Sequence, residues 1–203
     1  DSHGGDSVLT VYLAVNMPPD YFADRASEHF FYTPRRQGQS MAGPLPLGEP
    51  REAVEAWLKA FFGLTTYEIS VPVLRDATMA PPGKTGLIIS MLFDYALTRQ
   101  VEQQGWYEAF KRLSEAMMVE TLAGSIFPGI KDAVLDVFSS TPLTLARVAG
   151  NSEGAITGWA FTNDPLPAET QLPKVAASVR TPIPDVFQAG QWTFSPSGLP
   201  TAI

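Results

Sequence analysis

Three apolar runs rich in β-branched residues constrain the fold of this chain more than any other feature. They occupy residues 7–15, 67–73 and 85–92. Runs of this length and composition are typical of strands, and a nearly continuous apolar run indicates a strand buried on both faces. Pro72 is compatible with a strand only at an edge or a bulge, so we expect the second strand to be irregular there.

Two segments have the apolar spacing of helices that could cover such a sheet. Residues 51–62 carry apolar side chains three and four positions apart, and Gly63 follows as an expected helix end. Residues 105–126 form a longer helix with one apolar stripe, made of Tyr107, Phe110, Leu113, Met117, Met118 and Leu122. This stripe either belongs to the core or lines a tunnel for a long apolar ligand. The fold class is therefore predicted as α+β, with a mixed β-sheet covered by helices.

Shorter segments complete the predicted order of elements. Residues 28–33 are expected to form a further strand, and residues 34–50 a loop rich in Gly and Pro. Residues 130–137 are expected to add a turn or two of helix after the break at Pro128 and Gly129. That assignment places Asp132 and Asp136 one helical turn apart, on a face that we expect to be solvated.

Composition excludes several classes of function. The chain has 203 residues, a net charge of −7 and no cysteine. A negative chain with scattered Lys and Arg is a poor partner for nucleic acid. Disulfides and thiol nucleophiles are excluded, and the absence of cysteine fits a reducing compartment. No run is apolar enough to span a bilayer. We therefore expect a cytoplasmic protein, and contact with a membrane surface stays open.

Motifs for phosphate, metal and hydrolytic chemistry are incomplete. The triplet Gly83-Lys84-Thr85 resembles the end of a P-loop, but a predicted strand follows where that motif needs a helix. Neither His3 nor His29 has the spacing of a metal ligand, so no metal site is predicted. No Gly-x-Ser-x-Gly sequence is present to support a serine hydrolase.

In the C-terminal residues 181–203, prolines that restrict the backbone alternate with glycines that leave it free. Pro182 and Pro184 favour an extended approach, and residues 186–187 are expected to form a short buried strand. Gly190 then removes side-chain bulk where that strand ends, so another group could lie against the backbone. Further on, Pro200 suits the first position of a helix, and we expect the natural polypeptide to continue beyond Ile203, because so short a helix would not form.

Residues 180–191, RTPIPDVFQAGQ, and residues 198–202, GLPTA, resemble the C-terminal flavin-binding segment of phytoene-desaturase-like FAD oxidoreductases. That family includes retinol-saturase-like enzymes and lies near the flavin amine oxidases. The resemblance extends to a tight loop at 80–84, a Thr-Pro element at 139–144 and a glycine-spaced loop at 150–159. It implies a parent enzyme that holds FAD between an N-terminal dinucleotide-binding half and this segment. No Gly-x-Gly-x-x-Gly occurs among the glycines here, so we expect a C-terminal fragment that lacks the N-terminal Rossmann half. That missing half of the same chain would be the partner with which the fragment binds FAD.

The resemblance also implies site residues. FAD would be bound by Gly190, Gln191, Gly198, Leu199, Pro200 and Thr201, in a C-terminal strand-loop-helix that completes the site. A helix beginning at residues 199–201 would favour the negative charge of reduced flavin. Related flavoenzymes often carry an acidic residue where this chain has Gln191. Trp159, Trp192 and Phe194 are candidates to line the substrate cavity, or they only pack beneath the loop; catalytic residues remain unassigned.

Together these features predict two parts and one leading function. Residues 1–140 would be a substrate-covering domain portion, and residues 141–203 the C-terminal part of the FAD-binding domain. The parent enzyme would desaturate, saturate or isomerise carbon-carbon bonds of an apolar, isoprenoid- or carotenoid-like substrate, and the fragment alone would be inactive. Two alternatives stay open: a flavin amine oxidase relative, and a stand-alone domain that binds an apolar ligand or a partner protein.

Overall fold

The computed structural model describes residues 2–194 and shows an α+β fold built on one five-stranded sheet. The strands are β1 (Val8–Val15), β2 (His29–Tyr32), β3 (Tyr67–Ser70), β4 (Thr85–Leu92) and β5 (Val134–Ser140). The α-helices are α1 (Pro19–Ala23), α2 (Arg51–Leu64), α3 (Tyr95–Gln103), α4 (Tyr107–Ala123) and α5 (Pro142–Ala149). The strand order is β2-β3-β4-β1-β5, so the strand that comes last in the chain lies beside the first.

Neighbouring strands of this sheet are antiparallel, and the prediction of a mixed sheet is wrong. The pairs β1–β5, β2–β3 and β3–β4 are all antiparallel. In the remaining pair, Thr10 is bonded to Ser90 while the Thr85 hydroxyl donates to the Met17 carbonyl, so β1 and β4 also run in opposite directions. The long connection between β2 and β3 returns to its starting point, where the hydroxyls of Thr33 and Thr66 lie 2.7 Å apart.

One face of the sheet carries the core, and helices α2 and α4 cover it. Val11 and Ile89 are fully buried on this face. The Tyr67 hydroxyl on β3 donates to the Phe62 carbonyl of α2 at 2.6 Å, and the Ser139 hydroxyl on β5 donates to the Glu115 carboxylate of α4, also at 2.6 Å. Helix α4 buries residues four positions apart, namely Phe110, Ser114, Met118 and Leu122. Phe110, Met118 and Leu122 of the predicted stripe thus belong to the core, and its other members, Tyr107, Leu113 and Met117, are half-buried.

The opposite face of the sheet is open over part of its length. The side chains that alternate with the core residues here include Tyr12 on β1, Ile88 on β4 and Phe138 on β5. Phe138 is 57 % exposed and Ile88 is 36 % exposed. An apolar sheet face left open in this way is typical of a surface that contacts a ligand or a partner.

Three predicted secondary-structure assignments are wrong around the helices. Residues 130–137 do not continue a helix: a 3₁₀ turn covers Ile130–Ala133 and β5 follows, which puts Asp136 on a strand. Strand pairing with β1 supplies the backbone hydrogen bonds that a helix would otherwise make within the segment. Helix α2 runs through Gly63 to Leu64 and ends at Thr65. Helices α1, α3 and α5 have no counterpart in the prediction.

Strand β3 is shorter than predicted because Pro72 begins a 3₁₀ turn at Pro72–Leu74. Proline lacks the N–H that a ladder needs and its φ suits a helical start, so pairing stops before it. This turn and the one at Ala77–Met79 rise beside the open face of the sheet. The strands at 8–15, 29–32 and 85–92 confirm the predictions made for them.

The described chain forms two compact units. The sheet unit comprises residues 9–91 and 96–141, and the C-terminal unit comprises residues 2–8, 92–95 and 142–194. In the C-terminal unit, residues 3–7 are held by the 150–159 loop through hydrogen bonds such as Gly5 N–H to the Gly158 carbonyl at 2.7 Å. These N-terminal residues are therefore an integral part of the unit.

The predicted buried strand at residues 186–187 is not formed. Val186 is 45 % exposed and Phe187 is 69 % exposed, and only an isolated bridge links Phe187 to Arg180. A buried strand needs neighbours that satisfy its backbone groups. Within residues 2–194 this segment pairs only locally, as in the bond from Gln188 N–H to the Val179 carbonyl. The predicted elements at residues 198–203 lie outside the described residues.

Candidate functional site

A groove of about 200 Å³ lies on the open face of the sheet unit. Its floor is formed by alternating positions of three neighbouring strands, and its side by the two 3₁₀ turns. The floor residues are Tyr12, Ala14, Gly86, Ile88, Asp136 and Phe138, and the side residues are Pro72, Val73 and Met79. This volume is below the roughly 300–1,000 Å³ of a site for a drug-sized ligand, so the groove would hold only one end of a longer molecule.

The surface of the groove is mainly apolar and aromatic. Tyr12 and Phe138 stack across β1 and β5 with ring centroids 4.7 Å apart and planes 14° from parallel. Met79, 61 % exposed, lies among the side residues and supplies an adaptable thioether contact. Gly86 carries no side chain, and a Cβ built there meets no atom of residues 2–194 within 4 Å. The absence of a side chain at Gly86 therefore helps to leave the groove open.

Two polar groups reach this apolar groove. Asp136 accepts a hydrogen bond from the N–H of Val137 at 2.9 Å and forms no ion pair among residues 2–194. The Tyr12 hydroxyl forms no hydrogen bond with any other described residue. A carboxylate and a hydroxyl at an apolar groove can orient a ligand through hydrogen bonds.

A second polar cluster lies toward the β2 edge of the same sheet. His29 Nδ1 is 2.8 Å from the Ser70 hydroxyl, and His29 Nε2 is 3.3 Å from a carboxylate oxygen of Glu68. This trio has the residue types of a hydrolytic triad. However, His29 and Glu68 are 40 % and 49 % exposed, and the water-excluded setting that strengthens such chemistry is missing. We therefore treat the cluster as a surface network.

The predicted flavin residues that can be described lie in a turn of the C-terminal unit. Gly190 has φ +104, and the Thr193 N–H and hydroxyl both donate to its carbonyl, at 3.1 and 2.9 Å. No atom of the described residues lies within 4 Å of a Cβ built at Gly190, so none of them covers its backbone on that side. Gln191 is half-buried beside it. Gly198, Leu199, Pro200 and Thr201 lie outside the described residues.

The three predicted substrate-contacting aromatics have different surroundings. Trp159 and Trp192 are half-buried and meet edge to face at 4.9 Å, and Trp159 Nε1 donates to the Trp192 carbonyl at 3.1 Å. Phe194 is only 1 % exposed and forms a bridge with Glu169. Phe194 is thus buried within its unit, and a substrate-contacting role for all three aromatic residues stays a prediction.

The glycine-spaced loop at 150–159 has a clear structural role. A Cβ at Gly154 would lie 2.2 Å from the Pro142 carbonyl oxygen, and its φ is +65. The Ser7 hydroxyl donates to the Gly154 carbonyl at 2.7 Å. Gly154 therefore permits the close approach of the loop to the start of α5, and any contact with flavin stays a prediction.

Metal binding and membrane insertion have no support within residues 2–194. No group of three or more His, Asp or Glu side chains in this part of the chain is arranged to hold a metal ion. None of the helices described there has both the length and the apolar character needed to cross a bilayer.

Comparison with known proteins adds no family assignment, since no protein-family model and no curated protein matches the chain significantly.

Sequence reasoning missed the groove because its residues come from segments far apart in the chain. Asp136 was assigned to a helix, and its position opposite Ala14 depends on the pairing of β1 with β5. One signal was present: Tyr12 lies at an alternate position of a strand that was interpreted as buried on both faces. An aromatic residue with a polar tip at such a position favours a half-open face.

Proposed function

We propose that this chain is the C-terminal portion of an FAD-dependent oxidoreductase that acts on carbon-carbon bonds of an apolar, isoprenoid-like substrate. The observation that carries the proposal is the apolar groove on the open face of the sheet unit. A surface with Tyr12, Ile88 and Phe138 side by side is costly to leave in water, at about 25 cal/mol per Å² of apolar area. A bound apolar ligand or a covering domain would remove that cost.

The flavin part of the proposal depends on the resemblance of residues 180–191 and 198–202. The accessible backbone at Gly190 fits this assignment, because a planar cofactor can approach a glycine closely. When bound, FAD carries out the hydride or electron transfer, while the protein orients the cofactor and provides the electrostatic field around it. The half-buried amide of Gln191 is able to donate and accept hydrogen bonds to ribityl hydroxyls.

The residues of the sheet unit would bind and orient the substrate. Stacked Tyr12 and Phe138 offer a flat aromatic surface to a conjugated or branched chain, and Met79 adapts to its shape. By filling the groove, the substrate displaces water from the apolar floor. We assign these residues to substrate binding only. The cofactor would carry out the reaction, and no catalytic residue is assigned.

A stand-alone domain that binds an apolar ligand is the second candidate. Every residue that lines the groove belongs to the sheet unit, so ligand binding there does not require a flavin. We further propose a cytoplasmic location, because a chain without cysteine fits a reducing compartment.

The test uses the protein expressed from its complete natural gene. Its flavin absorbance is followed without oxygen after addition of a carotenoid, retinol or a primary amine such as benzylamine. We expect bound flavin whose spectrum changes with the isoprenoid and not with the amine. A response to the amine alone would identify an amine oxidase relative. A protein that binds retinol but contains no flavin would overturn the enzyme proposal in favour of the stand-alone binding domain.

A further inference from the structure

We infer that the groove selects an apolar ligand with a hydrogen-bond-donating end group, a hydroxyl or an ammonium, which is held by Asp136. The inference rests on the proposed apolar substrate and names one end of it. A carboxylate that a bound ligand covers loses part of its hydration, and only a ligand that donates a hydrogen bond to it compensates that loss. The groove includes Asp136 among its floor residues.

The position of Asp136 fits the binding of a ligand end. Asp136 is exposed on β5 and is the register partner of Ala14, whose small side chain leaves room above β1. One of its oxygens accepts the Val137 N–H, which restricts the orientation of the carboxylate. A carboxylate has about four lone-pair sites, so Asp136 keeps acceptor capacity for a ligand.

The neighbours of Asp136 define the rest of the ligand. On the same face, Phe138 lies two residues along β5 and stacks on Tyr12, which gives the ligand an aromatic surface next to the charge. Tyr12 also lines the groove, and its hydroxyl forms no hydrogen bond with another described residue, so it is a second polar group available to the ligand. Beyond these residues the groove is apolar. The recognised molecule therefore has an apolar body and a donor at its end.

The charge on Asp136 makes the inference specific. Asp136 forms no ion pair within residues 2–194, so its negative charge is available to a ligand. A donor end group gains a charge-assisted hydrogen bond, which is stronger than a neutral one. An end group with only acceptor oxygens gains nothing and is repelled. The groove should therefore discriminate between ligands that share one apolar body.

Three retinoids with the same body and different end groups test the inference on the 203-residue chain. Retinol ends in a hydroxyl, retinylamine in an ammonium, and retinyl methyl ether has no donor. Dissociation constants are measured by ligand fluorescence. We expect retinol and retinylamine to bind at least about tenfold more tightly than the ether. Replacing the acceptor in Asp136→Leu should abolish this difference and leave binding of the ether unchanged or tighter.

Two further variants locate the effect and keep the test independent of folding. Asp136→Asn removes the charge but keeps an acceptor, so retinylamine should weaken by at least about tenfold while retinol weakens less. Asp132→Leu is the matched control, because Asp132 is exposed on the preceding 3₁₀ turn and does not line the groove. It should bind all three retinoids like the unaltered chain. Circular dichroism on each sample verifies that the variants are folded.

The outcomes separate this inference from the proposed function. If the unaltered chain binds none of the three retinoids, the apolar substrate itself is wrong and the inference falls with it. If all three bind equally well and Asp136→Leu changes nothing, the groove binds apolar ligands but the donor selection is wrong. An equal effect of Asp132→Leu and Asp136→Leu would also overturn the inference, since it would indicate a general effect of surface charge.

Discussion

The rings of Tyr12 and Phe138 stack face to face on the uncovered side of the sheet, 4.7 Å apart and 14° from parallel. They are register partners on β1 and β5, two strands separated by most of the sheet unit in sequence. Cross-strand aromatic pairs of this kind contribute roughly 0.2–1 kcal/mol to a sheet. Their contact helps to fix the register of β5, and in the proposed function the same two rings form part of the ligand surface.

Filling the groove from its floor should block ligand binding without harming the fold. Gly86 is the second residue of β4, its φ is not in the left-handed region, and a Cβ there meets no atom of the described residues within 4 Å. Gly86→Leu should weaken retinol binding by at least about tenfold and stabilise the chain by about 0.5–1 kcal/mol. Retinol fluorescence and urea unfolding measure the two effects. Gly86→Ala is the control, since one methyl group leaves most of the groove open; unchanged retinol binding in Gly86→Leu would place the ligand elsewhere.

The glycine-spaced loop offers a matched pair of substitutions that separates space from backbone conformation. Gly154 and Gly150 both have left-handed φ, +65 and +70, but only Gly154 lacks room, with the Pro142 oxygen 2.2 Å from a built Cβ. Gly154→Ala should cost at least about 3 kcal/mol, and Gly150→Ala about 1 kcal/mol. Urea unfolding followed by tryptophan fluorescence makes the comparison. Equal losses would contradict the close approach of the loop to α5.

Alkaline pH should destabilise the chain through Tyr67. Burial raises the pKa of the Tyr67 hydroxyl well above its usual value. The pKa of Tyr67 is higher in the folded protein than in the unfolded chain. Its contribution to the free energy of unfolding is therefore fully present below about pH 10, and above that pH it falls by about 1.4 kcal/mol per pH unit. Tyr67→Phe loses the bond to the Phe62 carbonyl, so it should be less stable by about 1 kcal/mol at neutral pH. Its deficit should shrink above pH 10 in unfolding curves; a constant deficit to pH 11 would refute this origin.

One buried hydroxyl of α4 should be dispensable. Ser114 is fully buried and its hydroxyl has no hydrogen-bond partner in the described chain. Ser114→Ala should therefore stabilise the chain by about 0.5–1 kcal/mol, since it removes an unpaired polar group and favours the helix. Ser139→Ala is the contrast, because it breaks the 2.6 Å bond to Glu115 and should cost about 1 kcal/mol or more. Thermal unfolding of both variants measures the two effects. A loss of stability in Ser114→Ala would contradict the claim that the Ser114 hydroxyl is dispensable.

The parts of the fold that were predictable have strong local patterns. Strand β4 is predicted with its observed bounds because eight apolar or small residues follow a turn at Gly83. Helix α2 is recognisable from its apolar spacing. By contrast, α3 carries only Leu97 and Val101 as buried apolar residues, which is too few for a visible period. Its helical state depends on packing that the local sequence does not reveal.

The groove and the sheet direction were not predictable, because both depend on pairings between distant segments. Residues 134–140 contain a charged residue and a modest alternation, and only the partner strand β1 decides that they form β5. The error at residues 186–187 is the opposite one, because a strand was predicted there and none forms. A β-branched residue followed by an aromatic one favours a strand, but among the described residues this segment forms one local bridge. Strand propensity reflects burial and cross-strand neighbours more than the residues alone.

The flavin content of the protein made from its complete gene tests the central claim most directly. By the resemblance, backbone at Gly198 approaches the cofactor, so Gly198→Val should lower bound flavin per protein by about tenfold or more while circular dichroism stays unchanged. Gly129→Ala is the structural control: its φ of +84 predicts a stability loss of about 1–2 kcal/mol with flavin retained. Stoichiometric flavin in the unaltered protein and in Gly129→Ala, with loss in Gly198→Val, is the predicted result. An unaltered protein without flavin, or full flavin in Gly198→Val, would contradict the account.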